Sequence, residues 1–458
     1  MSAPSIPTSV AASRLEASVG AVLDDLRTFR IRFWAPILLG VIMMFDSWDS
    51  IAVAYVLPSM SAEWHLKPVS MGFVVSAGYC GQFIGAVVLG ALAERIGRKP
   101  VFIGAVSIMS VLALCTAFAP NYSLMLVLRL TEGLMIGGAL PISITYVNEL
   151  APTKTRGRYF VLFQVLCMSG YACASVASTF IIPHFGWRWL FGIGAAPVVL
   201  LPLMAATLPE SPRWLARLGR MADANRALEK LGGRPVTVAD GPADEAAPIA
   251  EIQKGLTFTA LFKAPFLPRT IVVTLLWFLV SFATFGLTTW VPSIYVGVFH
   301  IPIASALRYA SISAIGFLVF APFVGLVIDR IGRRPIAMVG CFLGALTMLG
   351  LALYRPTSEA ILVPIVITGH VGISITALLI WPYTAETYPT NVRAIGLGYA
   401  SAVARGASML TPLATGFILQ AGAPVAFVFG IYGVCALGAL AVWLKYTRET
   451  AQVPLDAI

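Results

Sequence analysis

The sequence predicts an all-α membrane protein with twelve transmembrane helices arranged as two related six-helix bundles. Hydrophobic residues make up 58% of the 458 residues and charged residues only 11%, whereas soluble chains carry about 25% charged residues. The mean hydropathy is +0.86. The chain also contains twelve apolar stretches, each long enough for the roughly 20 residues that cross a bilayer, and two polar patterns that recur in its second half.

The predicted spans follow one another through short connections, except for one long polar segment in the middle. They cover 34–58, 71–93, 101–119, 122–147, 159–182, 187–208, 270–297, 304–328, 335–354, 360–382, 394–419 and 423–444. This pattern predicts an N-terminal segment 1–33, a first bundle 34–208, a bridge with surface helices 209–269, a second bundle 270–444 and a tail 445–458.

The distribution of basic residues predicts the orientation of the chain. The formal net charge is +10, from 31 Lys and Arg against 21 Asp and Glu. Most of the basic residues fall in loops that share one side of the membrane when both termini are cytoplasmic, which is the positive-inside pattern. We therefore expect a multi-pass protein of the plasma (cell inner) membrane with both termini in the cytoplasm, and no nucleic-acid partner.

Cysteine and histidine usage favours neither a metal site nor an enzyme. The six cysteines lie inside apolar spans without a C-x-x-C spacing, and the four histidines are scattered. A membrane-embedded enzyme would need a metal-ligating cluster or a nucleophile beside a base. We expect no enzymatic activity, no metal and no cofactor, with the proton gradient as the energy source.

Two polar patterns recur at nearly the same offset. The segment 90–100 (GALAERIGRKP), after the second span, recurs as 325–335 (GLVIDRIGRRP), after the eighth. The pattern E-x-x-P-T-x-x-R begins at Glu149 and again at Glu386. Such a repeat indicates duplication of a six-helix unit, and a substrate site near the membrane midplane between the two halves.

These motifs resemble those of the major facilitator superfamily, and the resemblance covers the whole chain. Segments close to the family's G-x-L-x-D-R-x-G-R-R/K loop occur twice, with Glu94 where the family has Asp. Segments 209–215 (PESPRWL) and 129–133 (RLTEG) resemble motifs of the sugar-porter and organic-ion branches. The resemblance implies the major facilitator fold and transport by alternating access.

Charged residues cluster around the repeated loops. Acids there can cap helix N-termini or pair with basic residues on neighbouring helices. We predict that exchangeable ion pairs latch the two halves together in the outward-open state, and the alternative is a purely topological role. The predicted latch residues are Glu94, Arg95, Arg98, Glu149, Arg156, Glu210, Arg213, Asp329, Arg330, Arg333, Glu386 and Arg393.

Ionisable residues inside the spans predict the transport site, because such residues are costly in hydrocarbon. Asp46 and Asp49 in span 1 lie three residues apart and so share a helix face. We predict that this pair couples transport to protons, with Asp46 as the first choice. Their F-D-x-x-D pattern resembles the D-G-x-D motif of aromatic acid:proton symporters and nicotinate permeases, with Ser47 in place of Gly. The alternative is that one Asp caps a helix break or pairs with Arg129.

Three further groups extend or limit that hypothesis. Arg129 and Glu132 in span 4 are three residues apart and can neutralise each other, although Glu132 is also a candidate for a proton relay. His370 in span 10 is a second such candidate, because imidazole titrates near neutral pH. For a lone membrane histidine, a hydrogen-bonded packing role is the alternative.

Arg405 in span 11 has no acid on its own helix. Its guanidinium presents a planar fork that matches a carboxylate, and it resembles the anion-binding Arg of organic anion transporters. The alternative is an ion pair with Asp46, Asp49 or Glu132 across the cavity.

Aromatic and amide side chains complete the predicted substrate site. Trp277 and Phe285 lie on one face of span 7 and can stack on a planar substrate. Hydrogen bonds could come from Gln164, Tyr79 and Gln82. Core packing is the alternative for the aromatic residues.

Together these features predict a proton-coupled symporter that imports a small organic acid. The expected substrate is an aromatic or heteroaromatic carboxylate such as nicotinate or a hydroxybenzoate, carried by a monomer embedded in membrane lipid. A sugar or polyol:proton porter and an organic cation transporter of the same fold are the alternatives.

Overall fold

The computed structural model describes residues 18–23, 30–152, 156–232, 258–354, 356 and 358–450. Within them, twelve helical spans are long and apolar enough to cross a membrane, as predicted. Spans 1 to 6 are Arg30–Trp64, Pro68–Ile96, Arg98–Ala117, Tyr122–Leu150, Arg156–Phe185 and a sixth made of Arg188–Gly194 and Pro197–Thr207. Spans 7 to 12 are Leu267–Gly297, Ile303–Ile331, Arg333–Leu353, Glu359–Thr387, Thr390–Gln420 and Val425–Tyr446.

Most helices extend beyond their predicted ends. Span 1 has 35 residues, because a helix continues past the apolar run that marks only its hydrocarbon part. Span 6, predicted as one helix, is broken between Gly194 and Pro197. Proline lacks a backbone N–H and begins the second piece, where that donor is not needed.

The repeated motif was predicted to form a loop, and the structure corrects this prediction. Span 2 continues as helix to Ile96 and span 3 begins at Arg98, so Gly97 alone forms the corner. Its φ of +118° suits glycine, and Gly332 repeats the corner between spans 8 and 9 with φ +102°. A residue with a Cβ would be strained at either position.

Spans 2 and 4 pack backbone against backbone at several glycines. A Cβ on Gly85 would collide with the carbonyl oxygen of Leu134, and one on Gly137 would collide with the backbone of Gln82. Glycine at these positions lets the two backbones touch. This contact holds span 4, with its charged residues, against span 2.

The bridge contains surface helices, as expected. They are Pro212–Arg217, Met221–Gly232 and the 3₁₀ turn Phe258–Phe262. Ser211 caps the first of them by accepting a hydrogen bond from the Trp214 amide at 3.1 Å. Segment 233–257, most of the predicted N-terminal segment and the end of the tail lie outside the described residues.

The two halves pack together at one end of the molecule. We call the end that carries the Gly97 and Gly332 corners the basic end, and the other the opposite end. At the opposite end, Ser76 Oγ of span 2 donates to Met409 O of span 11 at 2.7 Å. Ser311 Oγ of span 8 likewise donates to Ser175 O of span 5 at 2.6 Å. The structure is therefore closed between the halves at this end.

Candidate functional site

The two corners at the basic end carry matching caps. Glu210, after span 6, accepts hydrogen bonds from the backbone amides of Arg98 at 3.1 Å and Lys99 at 3.2 Å. Glu449, after span 12, does the same for the backbone amides of Arg333 at 2.9 Å and Arg334 at 3.0 Å. Each carboxylate stabilises a helix N-terminus, where unpaired donors and the helix dipole favour an anion.

The predicted latch residues form ion pairs within each half in this conformation. Arg98 contacts Glu94 at 2.7 Å and Glu149 at 3.2 Å. The same two acids lie 3.6 Å and 3.5 Å from Arg217 of the bridge. The repeat is visible here as well, because Arg333 contacts Glu386 at 3.0 Å.

The other predicted latch residues lie around these pairs. Arg95 and Arg330 are exposed, Arg156 is partly buried, and Arg393 donates to Tyr388 O at 3.4 Å. The Arg213 guanidinium lies beside Gly20 of the helical segment 18–23. The side chain of Asp329 lies outside the described residues.

Sequence reasoning missed Glu449. A signal was present, because Glu449-Thr450 follows span 12 as Glu210-Ser211 follows span 6. Both acids also accept a hydrogen bond from the next backbone amide, at 2.8 Å for Ser211 and 2.9 Å for Thr450. The duplication therefore includes a third repeated pattern, an acid followed by Ser or Thr after the last span of each half. This two-residue pattern is too short to be recognised from the sequence alone.

A buried charge triad lies inside the first half. Arg129 Nη1 donates to Asp49 Oδ2 at 2.8 Å and to Glu132 Oε2 at 3.0 Å. Side-chain exposure is 3% for Arg129, 1% for Asp49 and 0% for Glu132. Phe191 of span 6 covers the guanidinium, with its ring centre 5.4 Å from the central carbon. The predicted pairing of Arg129 with Glu132 is thus extended by Asp49.

Asp46, one helical turn before Asp49, has different neighbours. Besides Asp49 itself, the ionisable groups near Asp46 include Arg405 of span 11 and Tyr171 of span 5. No direct ion pair of 4.0 Å or less joins Asp46 to Arg405 among the described salt bridges. Asp46 Oδ1 is buried and has no hydrogen-bond partner within the described part of the chain. An acid of the first half and a base of the second therefore face each other between the halves.

Arg405 is the cation of this interface. Its side chain is partly buried, and no hydrogen bond or ion pair from another described residue engages its guanidinium. A cation removed from water without a partner is unfavourable. The arrangement can therefore receive an anionic group between the halves.

Aromatic side chains lie beside the two charges. Tyr79 of span 2 meets Phe285 of span 7 edge to face, with ring centres 5.4 Å apart, so this contact joins the two halves. Tyr171 of span 5 lies near both Tyr79 and Arg405. Sequence reasoning missed Tyr171, although it lies seven residues after the predicted Gln164 and so shares its helix face.

The predicted amide groups lie on the first-half side. Gln82 Nε2 donates to Ser50 Oγ at 3.5 Å, which ties span 2 to span 1. Gln164 Oε1 is buried and has no hydrogen-bond partner among the described residues. Gln164 therefore offers an acceptor that the rest of the described protein leaves unused.

Two predicted residues have polar partners inside the second half. Trp277 donates from Nε1 to Thr384 Oγ1 at 2.8 Å and packs edge to face on Trp381, with ring centres 4.6 Å apart. His370 Nε2 is 2.9 Å from Thr288 Oγ1. In this conformation both residues are hydrogen-bonded within the second half, which agrees with the alternative of a packing role.

The molecule has two six-helix halves, and the interface between them brings together charged residues of both halves. This arrangement is that of a membrane transporter. A sequence profile described as the Major Facilitator Superfamily matches residues 37–409 and 310–457. The chain belongs to this family.

Relatives with stated substrates place it in a branch of the family. It is 31% identical over 443 residues to the niacin transporter NiaP of Acinetobacter baylyi, covering 95% of this chain and 98% of the relative. It is also 31% identical over 415 residues to the gallate transporter of Pseudomonas putida, covering 88% and 89%. A benzoate transport protein of Acinetobacter baylyi is 26% identical over 95% of this chain and 94% of the relative. The predicted resemblance to the aromatic acid and nicotinate branch is confirmed.

Solved structures support the fold. The xylose transporter XylE of E. coli, in a partially occluded inward-open conformation, aligns with a TM-score of 0.71 at 19% identity, covering 92% of this chain and 99% of that one. The nucleoside transporter NupG aligns with a TM-score of 0.67 at 16% identity, covering 91% and 100%. The predicted twelve-helix major facilitator fold is confirmed.

Proposed function

We propose that the protein is a proton-coupled symporter that imports a small aromatic or heteroaromatic carboxylate, such as nicotinate or a hydroxybenzoate. The observation that supports this most strongly is the partly buried Arg405 guanidinium, which faces Asp46 across the two halves without a direct ion pair. We place the basic end in the cytoplasm, following the positive-inside pattern, and both termini with it. The monomer would be the working unit, in the plasma membrane.

Arg405 is the proposed carboxylate site. A guanidinium donates two parallel hydrogen bonds to a carboxylate, and the pair is strongest where water is excluded. Tyr79, Tyr171 and Phe285 supply aromatic surfaces on which a planar ring can stack. Gln164 Oε1, which has no described hydrogen-bond partner, could accept a hydrogen bond from a hydroxyl group or a protonated ring nitrogen.

Asp46 is the proposed proton site, and charge balance supplies the reason. In the empty transporter, Asp46 and Arg405 offset each other. When a substrate carboxylate binds Arg405, the Asp46 carboxylate becomes a second, uncompensated anion in apolar surroundings, which is unfavourable. A proton on Asp46 removes that charge, so substrate and proton would bind together. A monocarboxylate would then enter with one proton and without net charge movement.

The Asp49–Arg129–Glu132 triad is proposed as the support for this site. Its two carboxylates share one guanidinium nitrogen, so the triad has one acid more than it has bases. A proton on Asp49 or Glu132 would make it neutral. Because Asp49 is one turn from Asp46, the triad is also the natural end of a proton path through the first half.

Three relatives named for aromatic acids support a carboxylate as the substrate. Niacin, gallate and benzoate each combine an aromatic ring with a carboxylate, and their named transporters align with most of this chain. A positive Arg405 would repel an organic cation. The likeness to the xylose transporter, at 19% identity, concerns the fold.

The substrate class is tested by competition in proteoliposomes. Uptake of radiolabelled nicotinate or 4-hydroxybenzoate is measured with an excess of unlabelled nicotinate, benzoate, nicotinamide, xylose or choline. We expect the carboxylates to compete, and nicotinamide to compete at least about tenfold more weakly, because it lacks the anion that a charge-assisted pair recognises. Equal competition by nicotinamide would show that Arg405 does not select a carboxylate.

A further inference from the structure

A lateral crevice opens at the basic end of the second half, apart from the interface between the halves. It has a volume of about 670 Å³ and lies between spans 7, 10 and 12. Its lining includes Arg269, Ile271, Leu275, Tyr383, Tyr446 and Arg448. Volumes of roughly 300–1,000 Å³ are typical of sites that hold small ligands.

The apolar wall of the crevice faces the lipid side of span 7. Ile271 is 50% exposed and Leu275 is 41% exposed. Farther along the same helix stripe, Leu279 lies against Gly438 and Phe282 packs on Tyr432, both of span 12. This stripe therefore points toward span 12 and the bilayer, where exposed aliphatic side chains contact acyl chains.

The mouth of the crevice is basic. Arg269 lies in the first turn of span 7, and its Nη1 donates to Thr387 O at 3.0 Å, which holds the guanidinium at the crevice wall. Arg448, just after span 12, is exposed. Outside the lining, Lys445 Nζ lies 5.5 Å from the ring centre of the lining residue Tyr446. The neighbouring Glu449 is occupied by the amides of Arg333 and Arg334.

We infer that this crevice binds an anionic phospholipid. The phosphate group would lie between Arg269 and Arg448, and an acyl chain would lie along Ile271 and Leu275. This assignment follows from charge complementarity at the mouth and from the continuity of the apolar wall with the bilayer. Basic pockets between spans at the polar surface of a membrane have the chemistry that anionic headgroups require.

The test is native mass spectrometry of the full-length protein in detergent with added lipid. Phosphatidylglycerol and phosphatidylcholine with identical acyl chains are compared at equal concentration. We expect one phosphatidylglycerol to be retained preferentially, and Arg448→Gln to lower its affinity about fivefold, which corresponds to about 1 kcal/mol per basic residue near an anionic surface. The matched control, Arg158→Gln, removes an exposed cation from the basic end of the first half and should leave retention unchanged.

A second variant approaches the site from its apolar side. Leu275→Trp fills the crevice without changing charge, and should also lower phosphatidylglycerol retention while the monodisperse elution of the protein is preserved. Equal retention of both lipids, or equal retention by wild type and Arg448→Gln, would overturn the proposal. Displacement of the retained phosphatidylglycerol by soluble glycerol phosphate at the same concentration would also overturn it. That result would assign a free phosphate as the ligand.

Discussion

At the scale of single residues, the two acids of span 1 are separated by their surroundings. Three residues along a helix correspond to a rotation of about 300°, so Asp46 and Asp49 point about 60° apart. That difference directs Asp49 into the first half, where Arg129 binds it at 2.8 Å. Asp46 is left at the interface with the second half, opposite Arg405. The spacing alone predicts that the acids are close, but not which base each one meets.

The triad should matter more for stability than for recognition. Replacing Arg129 by Met leaves two buried carboxylates without their base, and breaking a buried ion pair in this way costs about 3–5 kcal/mol. We expect Arg129→Met to unfold at a clearly lower temperature in detergent, measured by tryptophan fluorescence.

The control for this prediction is Arg405→Met. Because no described residue binds the Arg405 guanidinium, its loss should lower the unfolding temperature much less and should abolish carboxylate uptake. If Arg129→Met unfolded at the wild-type temperature, the triad would not be a structural support.

At the scale of helices, glycines decide how closely the spans approach. Gly85→Ala would place a methyl group on the carbonyl oxygen of Leu134 and push spans 2 and 4 apart. Overpacking of this kind costs about 1–3 kcal/mol, so we expect a lower unfolding temperature. Gly90→Ala is the matched control on the same helix, because nothing lies within 4 Å of the added carbon. Equal unfolding temperatures for the two variants would mean that span 2 shifts freely against span 4.

Helix positions were predictable where apolar runs are long, and helix ends were not. Span 2 runs on through Glu94 and Arg95 because a helix tolerates charged residues once it has left the hydrocarbon. A one-residue corner at Gly97 depends on a positive φ and on the Glu210 carboxylate, which comes from a segment more than a hundred residues away. Such long-range caps, and the second one by Glu449, are determined by tertiary structure.

At the scale of the whole molecule, closure of the opposite end identifies where the halves must separate during transport. The Val69 amide lies 3.4 Å from Gln420 Oε1, across spans 2 and 11. A thiol-reactive cross-linker that joins Val69→Cys to Gln420→Cys should lower uptake by about 90% or more, because alternating access needs this end to open. Transport should return when a cleavable linker is cut.

A cross-link within one half provides the control. Glu63 and Arg188 form an ion pair of 2.7 Å at the same end, between spans 1 and 6. Cysteines at these two positions, joined by the same reagent, should leave uptake close to that of the unlinked variant. Full uptake by the cross-linked Val69–Gln420 protein would contradict opening at this end.

The twelve-helix architecture could be predicted from the composition, the internal repeat and the distribution of charge, because a bilayer permits few folds for such a chain. The candidate site could be predicted from the sequence only in part. Asp46 and Arg405 could be identified because charged residues are conspicuous in apolar helices. Tyr171 resembles many other aromatic residues in the spans, and only packing distinguishes it. Trp277 looked equally suitable, but its N–H is bound to Thr384.

The most direct test of proton coupling compares two transport assays on Asp46→Asn. Accumulation of radiolabelled nicotinate, or of the carboxylate identified by competition, is driven by an inward proton gradient in proteoliposomes. Counterflow, the exchange of labelled for unlabelled substrate, is measured without a gradient. We predict that wild type performs both, and that Asp46→Asn retains counterflow but loses accumulation above the external concentration, because a neutral side chain cannot carry the proton. Gradient-driven accumulation by Asp46→Asn at the wild-type level would contradict Asp46 as the coupling group.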